Sequence, residues 1–170
     1  MTAGPESTAK KPGSATRATI DPANSTSSFG FRVRFCETDL MGIVHHGNYF
    51  QYFEMGRVEW LRRRGVTYAL WASEGTHLPV VDAQARYRKP CRFDDCLVLH
   101  TSLGELRSHS LRFDYRLTRP ADAALIAEGS TRLACIDGAH RLVAFTDSMV
   151  ATLLSAELPQ EKSTEADANA

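Results

Sequence analysis

Between Phe29 and Ile136 the apolar residues of this chain change their spacing twice, and the order of those changes leaves few folds open. Phe29, Phe31, Val33 and Phe35 alternate with Gly30, Arg32 and Arg34, the two-residue period of a half-buried strand. From Asn48 to Gly65 the spacing becomes helical: Tyr49, Tyr52, Phe53, Gly56, Trp60 and Leu61 fall on one face. Asn48 is expected to cap the start of this helix and Gly65 to stop it. Glu54 with Arg57, and Glu59 with Arg62 and Arg63, set opposite charges side by side on the wet face. A glycine inside a helix costs about 1 kcal/mol relative to alanine. Gly56 therefore predicts a helix lying very close to a sheet.

The remainder reads mostly as strand. Val81, Ala83, Ala85 and Tyr87 alternate with Asp82, Gln84 and Arg86; Leu97, Leu99, Thr101 and Leu103 with Val98, His100 and Ser102; and Leu111, Phe113, Tyr115 and Leu117 with Arg112, Asp114 and Arg116. Leu125 to Ile136 forms another long, mainly apolar run. Turns are expected at Gly104-Glu105, Arg119 to Asp122 and Asp137-Gly138, so these consecutive strands predict an antiparallel meander. A short helix from Thr146 to Leu158, capped by Thr146 or Asp147, would close the domain. One strand, one long helix and a run of strands make an α+β architecture in which a single sheet wraps a single helix. Such a sheet leaves open edges, and pairing between subunits is the natural remedy. A dimer at least is expected.

With 170 residues and 43% hydrophobic content, the chain is sized for one domain with its own core. Twenty basic residues balance twenty acidic ones, so no net field draws it to nucleic acid or an anionic membrane. The four cysteines form no Cys-x-x-Cys pair, which disfavours a disulfide scaffold and a zinc ribbon. Residues 1–27 and 157–170 are polar and poor in apolar residues, and are expected to be disordered tails around a domain at 28–156. No run reaches the roughly 20 apolar residues of a membrane helix. No secretory signal is evident either, so a cytoplasmic location is expected.

The densest polar grouping joins the first strand to the helix: Glu37, Thr38, Asp39, His45, His46 and Asn48. Acyl transfer needs a group that attacks or activates water, and donors aimed at the oxygen that gains charge. Asp39 supplies the first, although an aspartate here serves equally well to shape a turn. Amides near His46 and Gly47, at the helix entrance, supply the second, and Gly47 has no side chain to block an approaching acyl group. There is no Gly-x-Ser-x-Gly elbow, no Gly-x-Gly-x-x-Gly and no phosphate loop. Asp39, His45 and His46 are of metal-binding type, but neighbouring histidines rarely converge on one ion without a third, well-placed ligand, so neither a metal nor a cofactor is expected.

The run from Arg34 to Glu54, with Glu37-Thr38-Asp39-Leu40-Met41-Gly42-Ile43-Val44-His45-His46-Gly47-Asn48-Tyr49 at its centre, resembles the signature of the 4-hydroxybenzoyl-CoA thioesterase family, including its Tol-Pal-associated acyl-CoA thioesterase branch. The segment Tyr87 to Asp95 resembles that family's second landmark, and the likeness extends over about Phe29 to Leu154. The resemblance implies a hotdog fold, hydrolysis of an acyl-CoA thioester and active sites shared across a dimer, often within a tetramer. It puts the catalytic aspartate at Asp39, as nucleophile or as general base, and the carbonyl-polarising amide at His46. Coenzyme A then enters as part of the substrate.

Around this pair, Tyr49 sits near enough to the loop to line a pocket. Arg88 and Lys89, leaving a strand before Pro90, could hold a CoA phosphate or form a solvated basic turn. His45 is read as structural, and Glu54 as a surface ion pair or a support for the site. Two rivals are a hotdog dehydratase and a non-catalytic acyl-CoA binding protein. The dehydratases carry a loop resembling His-Phe-Pro-Gly, whereas this chain reads His45-His46-Gly47-Asn48, which favours hydrolysis. Fold and motif alone do not exclude a binding protein.

Overall fold

The computed structural model describes residues 19–21 and 24–159. Strand β1 (Thr26–Arg32) leads through a 3-10 turn (Phe35–Glu37) to helix α1 (Asn48–Arg62) and a short helix α2 (Tyr68–Ser73). Strands β2 (Thr76–His77), β3 (Val80–Tyr87), β4 (Cys96–Leu106), β5 (Ser110–Arg119), β6 (Ala124–Ala134) and β7 (Ile136–Asp137) follow, and helix α3 (Asp147–Leu154) comes last. One five-stranded antiparallel sheet, in the order β1-β4-β5-β6-β3, carries α1 on its inner face, and β2 pairs with β7 in a separate ribbon.

The residues buried along α1 are Tyr49, Tyr52, Phe53, Gly56, Trp60 and Leu61, the face expected from spacing. They meet the inward residues of the central strands. The Phe53 ring stacks on Tyr115 with centroids 4.4 Å apart, and Trp60 meets Phe113 edge-on at 5.1 Å. Gly56 lets the helix backbone down onto β4: a Cβ there would lie 2.5 Å from Leu99 Cδ2 and collide with Thr101 Oγ1.

Long-range pairing departs from the expected meander. Only β4, β5 and β6 are sequential neighbours; β3 crosses to the far edge beside β6, because the free edge of β4 is taken by β1. Gly104-Glu105 is not a turn but a bulge within β4, where a Cβ on Gly104 would press on Asp114 and where Arg107 and Arg132 hold the Glu105 carboxylate. The chain reverses later, with the Arg107 amide donating to Ser110 O at 2.8 Å. Asn48 does not cap α1: Gly47 occupies that position, and the Asn48 amide turns back to Glu37. Thr146 does cap α3, accepting from the Met149 amide.

Order also reaches past both expected tail boundaries. Thr26 and Ser27 belong to β1, and Ser27 is buried because its hydroxyl accepts from Arg64 at 3.0 Å. At the other end, Glu157 pairs with Arg63 at 3.5 Å and the Leu158 amide donates to Arg63 O at 2.7 Å. Most of both expected tails lies outside the described residues. Arg64 ties these termini together: 5% exposed, it stacks over Trp60 at 3.6 Å and donates to Ser27, Asn24, Trp60 O and Ser155 O. Lysine cannot reproduce a fork of that reach. Arg64→Lys is expected to cost about 2 kcal/mol of stability in denaturant unfolding; an unchanged midpoint would refute this anchoring role.

Candidate active site

The loop between β1 and α1 is fixed at several points. Glu37 is buried, and its carboxylate accepts from the Arg34 amide at 2.8 Å, Arg34 Nε at 2.9 Å and the Tyr52 hydroxyl at 2.8 Å. Burial by itself would push this carboxyl up, but those donors outweigh it and hold Glu37 below the usual carboxylate range. Burial conversely pushes the Tyr52 and Tyr49 phenols far above their ordinary range, helped by Glu37 and by Cys91 respectively, so both stay neutral. Thr38 bridges to Val44, and the Val44 amide donates to Cys91 O at 2.9 Å.

Asp39 sits on a tight turn inside that frame. Its amide donates to Ile43 O and its carbonyl accepts from Gly42, both at 2.9 Å. Gly42 has φ +69°, a left-handed conformation that favours glycine. Oδ1 accepts from the Met41 amide at 2.8 Å, and among the described residues the other carboxylate oxygen has no hydrogen-bond partner. Asp39 thus shapes its turn with one oxygen and presents the second. Arg92 Nη1 braces the turn from outside, donating to Gly42 O at 3.2 Å.

The two amides expected at the helix entrance differ. The Gly47 amide donates to the ring of His45 at 3.2 Å, so it is already engaged; the His46 amide has no partner among the described residues. His45 is therefore a local support. The exposed His46 ring lies against that of His45, centroids 4.1 Å apart, and its carbonyl accepts from the Tyr87 hydroxyl at 3.1 Å.

A cavity of about 420 Å³ brings most of the expected residues together. Asp39, His46, Tyr49, Arg88 and Lys89 all line it; Gly47 does not. Tyr49 is its buried wall, 3.4 Å from Cys91 Sγ through its hydroxyl and edge-on to Tyr87 at 4.9 Å. Arg88 is committed to Glu128 at 2.8 Å, whereas Lys89 makes no ion pair among the described residues. Ile43, Val44 and Tyr87 also line the cavity and were not singled out from spacing, although Tyr87 opens the second landmark. Glu54 stands outside it, in the expected ion pair with Arg57 at 3.6 Å. No group of three or more His, Cys, Asp or Glu among the described residues could hold a metal ion. No helix there is long and apolar enough to cross a membrane.

Residues 33–161 match the family model of the thioesterase-like superfamily, a span that includes the loop, α1 and four strands of the main sheet. The chain belongs to that superfamily. Its sheet wrapped on α1 is the hotdog fold, and by class it is a thioester hydrolase. It is similar to the acyl-CoA thioesterase YbgC of Haemophilus influenzae, with 32% identity over 120 residues, 69% of this chain and 87% of that one. A hypothetical protein, TT1821, from Thermus thermophilus superposes with a TM-score of 0.70 and 37% identity, covering 76% of this chain and 96% of its own. The DHNA-CoA thioesterase of Staphylococcus aureus does so with a TM-score of 0.68 and 27% identity, covering 70% and 80%. The family read from the Asp39 motif and the hotdog fold it implied are both borne out.

Proposed function

We propose that this thioesterase hydrolyses an acyl- or aryl-CoA to the free acid and coenzyme A, with Asp39 as its catalytic carboxylate. One observation carries the reading: Asp39 and His46 line the same cavity, and among the described residues one oxygen of the Asp39 carboxylate and the His46 amide have no hydrogen-bond partner. The His46 N–H polarises the thioester carbonyl and stabilises the negative charge that grows on its oxygen. Asp39 then attacks the carbonyl carbon to give a mixed anhydride, or takes a proton from an attacking water. In either course the thiolate of coenzyme A leaves and water supplies the second oxygen of the acid. The apolar wall of Ile43, Val44, Tyr49 and Tyr87 receives the region around the thioester.

Lys89, at the cavity rim and without an ion pair among the described residues, is the cation for a CoA phosphate; Arg88 is held back by Glu128. Lys89→Ala is expected to raise KM about tenfold with kcat little changed, since such a contact binds ground and transition states alike. Steady-state thiol release checks this, and an unaltered KM would remove Lys89 from the binding set.

The working unit is a dimer or tetramer of this chain. In support, β3 is an edge strand with Val80, Val81 and Tyr87 exposed, and Tyr87 belongs to the cavity. The direct test of the function itself is release of coenzyme A from short, long and aromatic acyl-CoAs. No release above the Asp39→Ala background for any of them would sink it.

A further inference from the structure

Glu37 stands beside the cavity without lining it, and its side chain is heavily bonded. Besides its three carboxylate bonds, Glu37 uses its carbonyl oxygen to accept from the His45 amide at 2.9 Å and from Asn48 Nδ2 at 2.7 Å. These bonds tie the 3-10 turn before the loop to the first residue of α1. The two candidate groups hang from the same knot: Asp39 follows Glu37 by two residues, and His46 lies between the bonded positions His45 and Asn48.

Stability alone does not explain a buried charge here. A well-packed apolar side chain would fill the same space without the cost of stripping water from a carboxylate. What the carboxylate adds is direction. Two oxygens facing three donors from Arg34 and Tyr52 set the rotation of residue 37, and its carbonyl aims the entrance of α1.

We propose that Glu37 and Asn48 are positioning residues, which hold the Asp39 carboxylate and the His46 amide in the relative placement the thioester requires. The proposal rests on the site reading above. Neither side chain touches substrate; both act through the loop.

The test compares kcat and KM for acyl-CoA hydrolysis in the full chain with Glu37→Gln, Asn48→Ala, Asp39→Asn and Arg64→Lys, each with its melting temperature. Glutamine keeps the volume of Glu37 but turns one acceptor into a donor. Asn48→Ala deletes only the cross-loop bond. Glu37→Gln is expected to lose roughly 100-fold in kcat and Asn48→Ala about tenfold, with KM within about twofold, as misplacement of reacting groups by about 1 Å predicts. Arg64→Lys, just beyond the far end of α1, is expected to lower the melting temperature and leave kcat unchanged.

If Glu37→Gln fails to fold, Asn48→Ala decides. Folded Asn48→Ala with kcat within about twofold of the parent, while Asp39→Asn is inactive, overturns the proposal and leaves the site reading standing. So does a loss of kcat in Arg64→Lys equal to that in Asn48→Ala, because the effect then follows stability and not placement. Full turnover by Asp39→Asn defeats the site reading, and the proposal falls with it.

Discussion

Asp39→Asn is expected to lose between about 100-fold and 10,000-fold in kcat, the range for removing a positioned base, with KM little changed. The substitution is clean because the turn survives it. Asparagine's side-chain oxygen can still accept from the Met41 amide, as Asp39 Oδ1 does at 2.8 Å, and the Gly42 and Ile43 bonds are made by the backbone. Only the charge and the basicity of the outward oxygen are lost. Both routes for the carboxylate require that charge in the transition state, so the loss should fall on kcat. Thiol release at saturating acyl-CoA measures it directly. Turnover within about threefold of the parent would show that Asp39 only shapes its turn.

Gly56→Val is expected to have the largest effect on the fold, about 3 kcal/mol or more. Valine brings two methyls beyond a Cβ that already meets Leu99 and Thr101, both buried on β4. Neither neighbour can swing into solvent, so α1 must rise off the sheet and loosen the Phe53–Tyr115 and Trp60–Phe113 contacts. Thermal unfolding should show a fall of roughly 10 °C. Gly56→Ala is the sharper comparison, since alanine is the better helix former by about 1 kcal/mol and should nonetheless destabilise. A rise in melting temperature for alanine would mean that the close approach is relieved at little cost.

The buried face of α1 was legible because a helix with one wet side repeats its apolar residues over a span the eye can follow. The same holds for the inward residues of β4 and β5. Sheet order was not legible, because β3 reads identically whether it pairs with β4 or with β6; the choice is made by β1, which claims the edge of β4. Helix α2 and the β2–β7 ribbon are too short for a period to emerge. Gly104 looked like a turn residue because glycine marks turns and bulges alike, and only its crowding against Asp114 separates the two.

At the candidate site, the motif pointed to Asp39 and His46, while the difference between the two entrance amides depended on a ring rotation. His45 had to turn its Nδ1 onto Gly47 for that amide to be engaged. Asn48 looked like a cap because asparagine favours that place, but its side chain bonds Glu37, eleven positions earlier, and so escapes local reading. Tyr87 ends a strand, and its reach to His46 spans forty-one positions.

The strand order also dictates a sequence of events during folding. The central strands β4, β5 and β6 join through short reversals and can assemble early as local hairpins, whereas both sheet edges are built from segments that precede them in the chain. Of the sheet that buries it, only β1 is made before helix α1. It must present Tyr52, Phe53 and Trp60 to water until residues as late as 134 have been synthesised. For a chain growing from its N-terminus at about 5–20 residues per second, that is several seconds of an unburied aromatic face. Truncated or stalled forms ending before β6 should accordingly be the aggregating ones, and they are the forms a chaperone would meet.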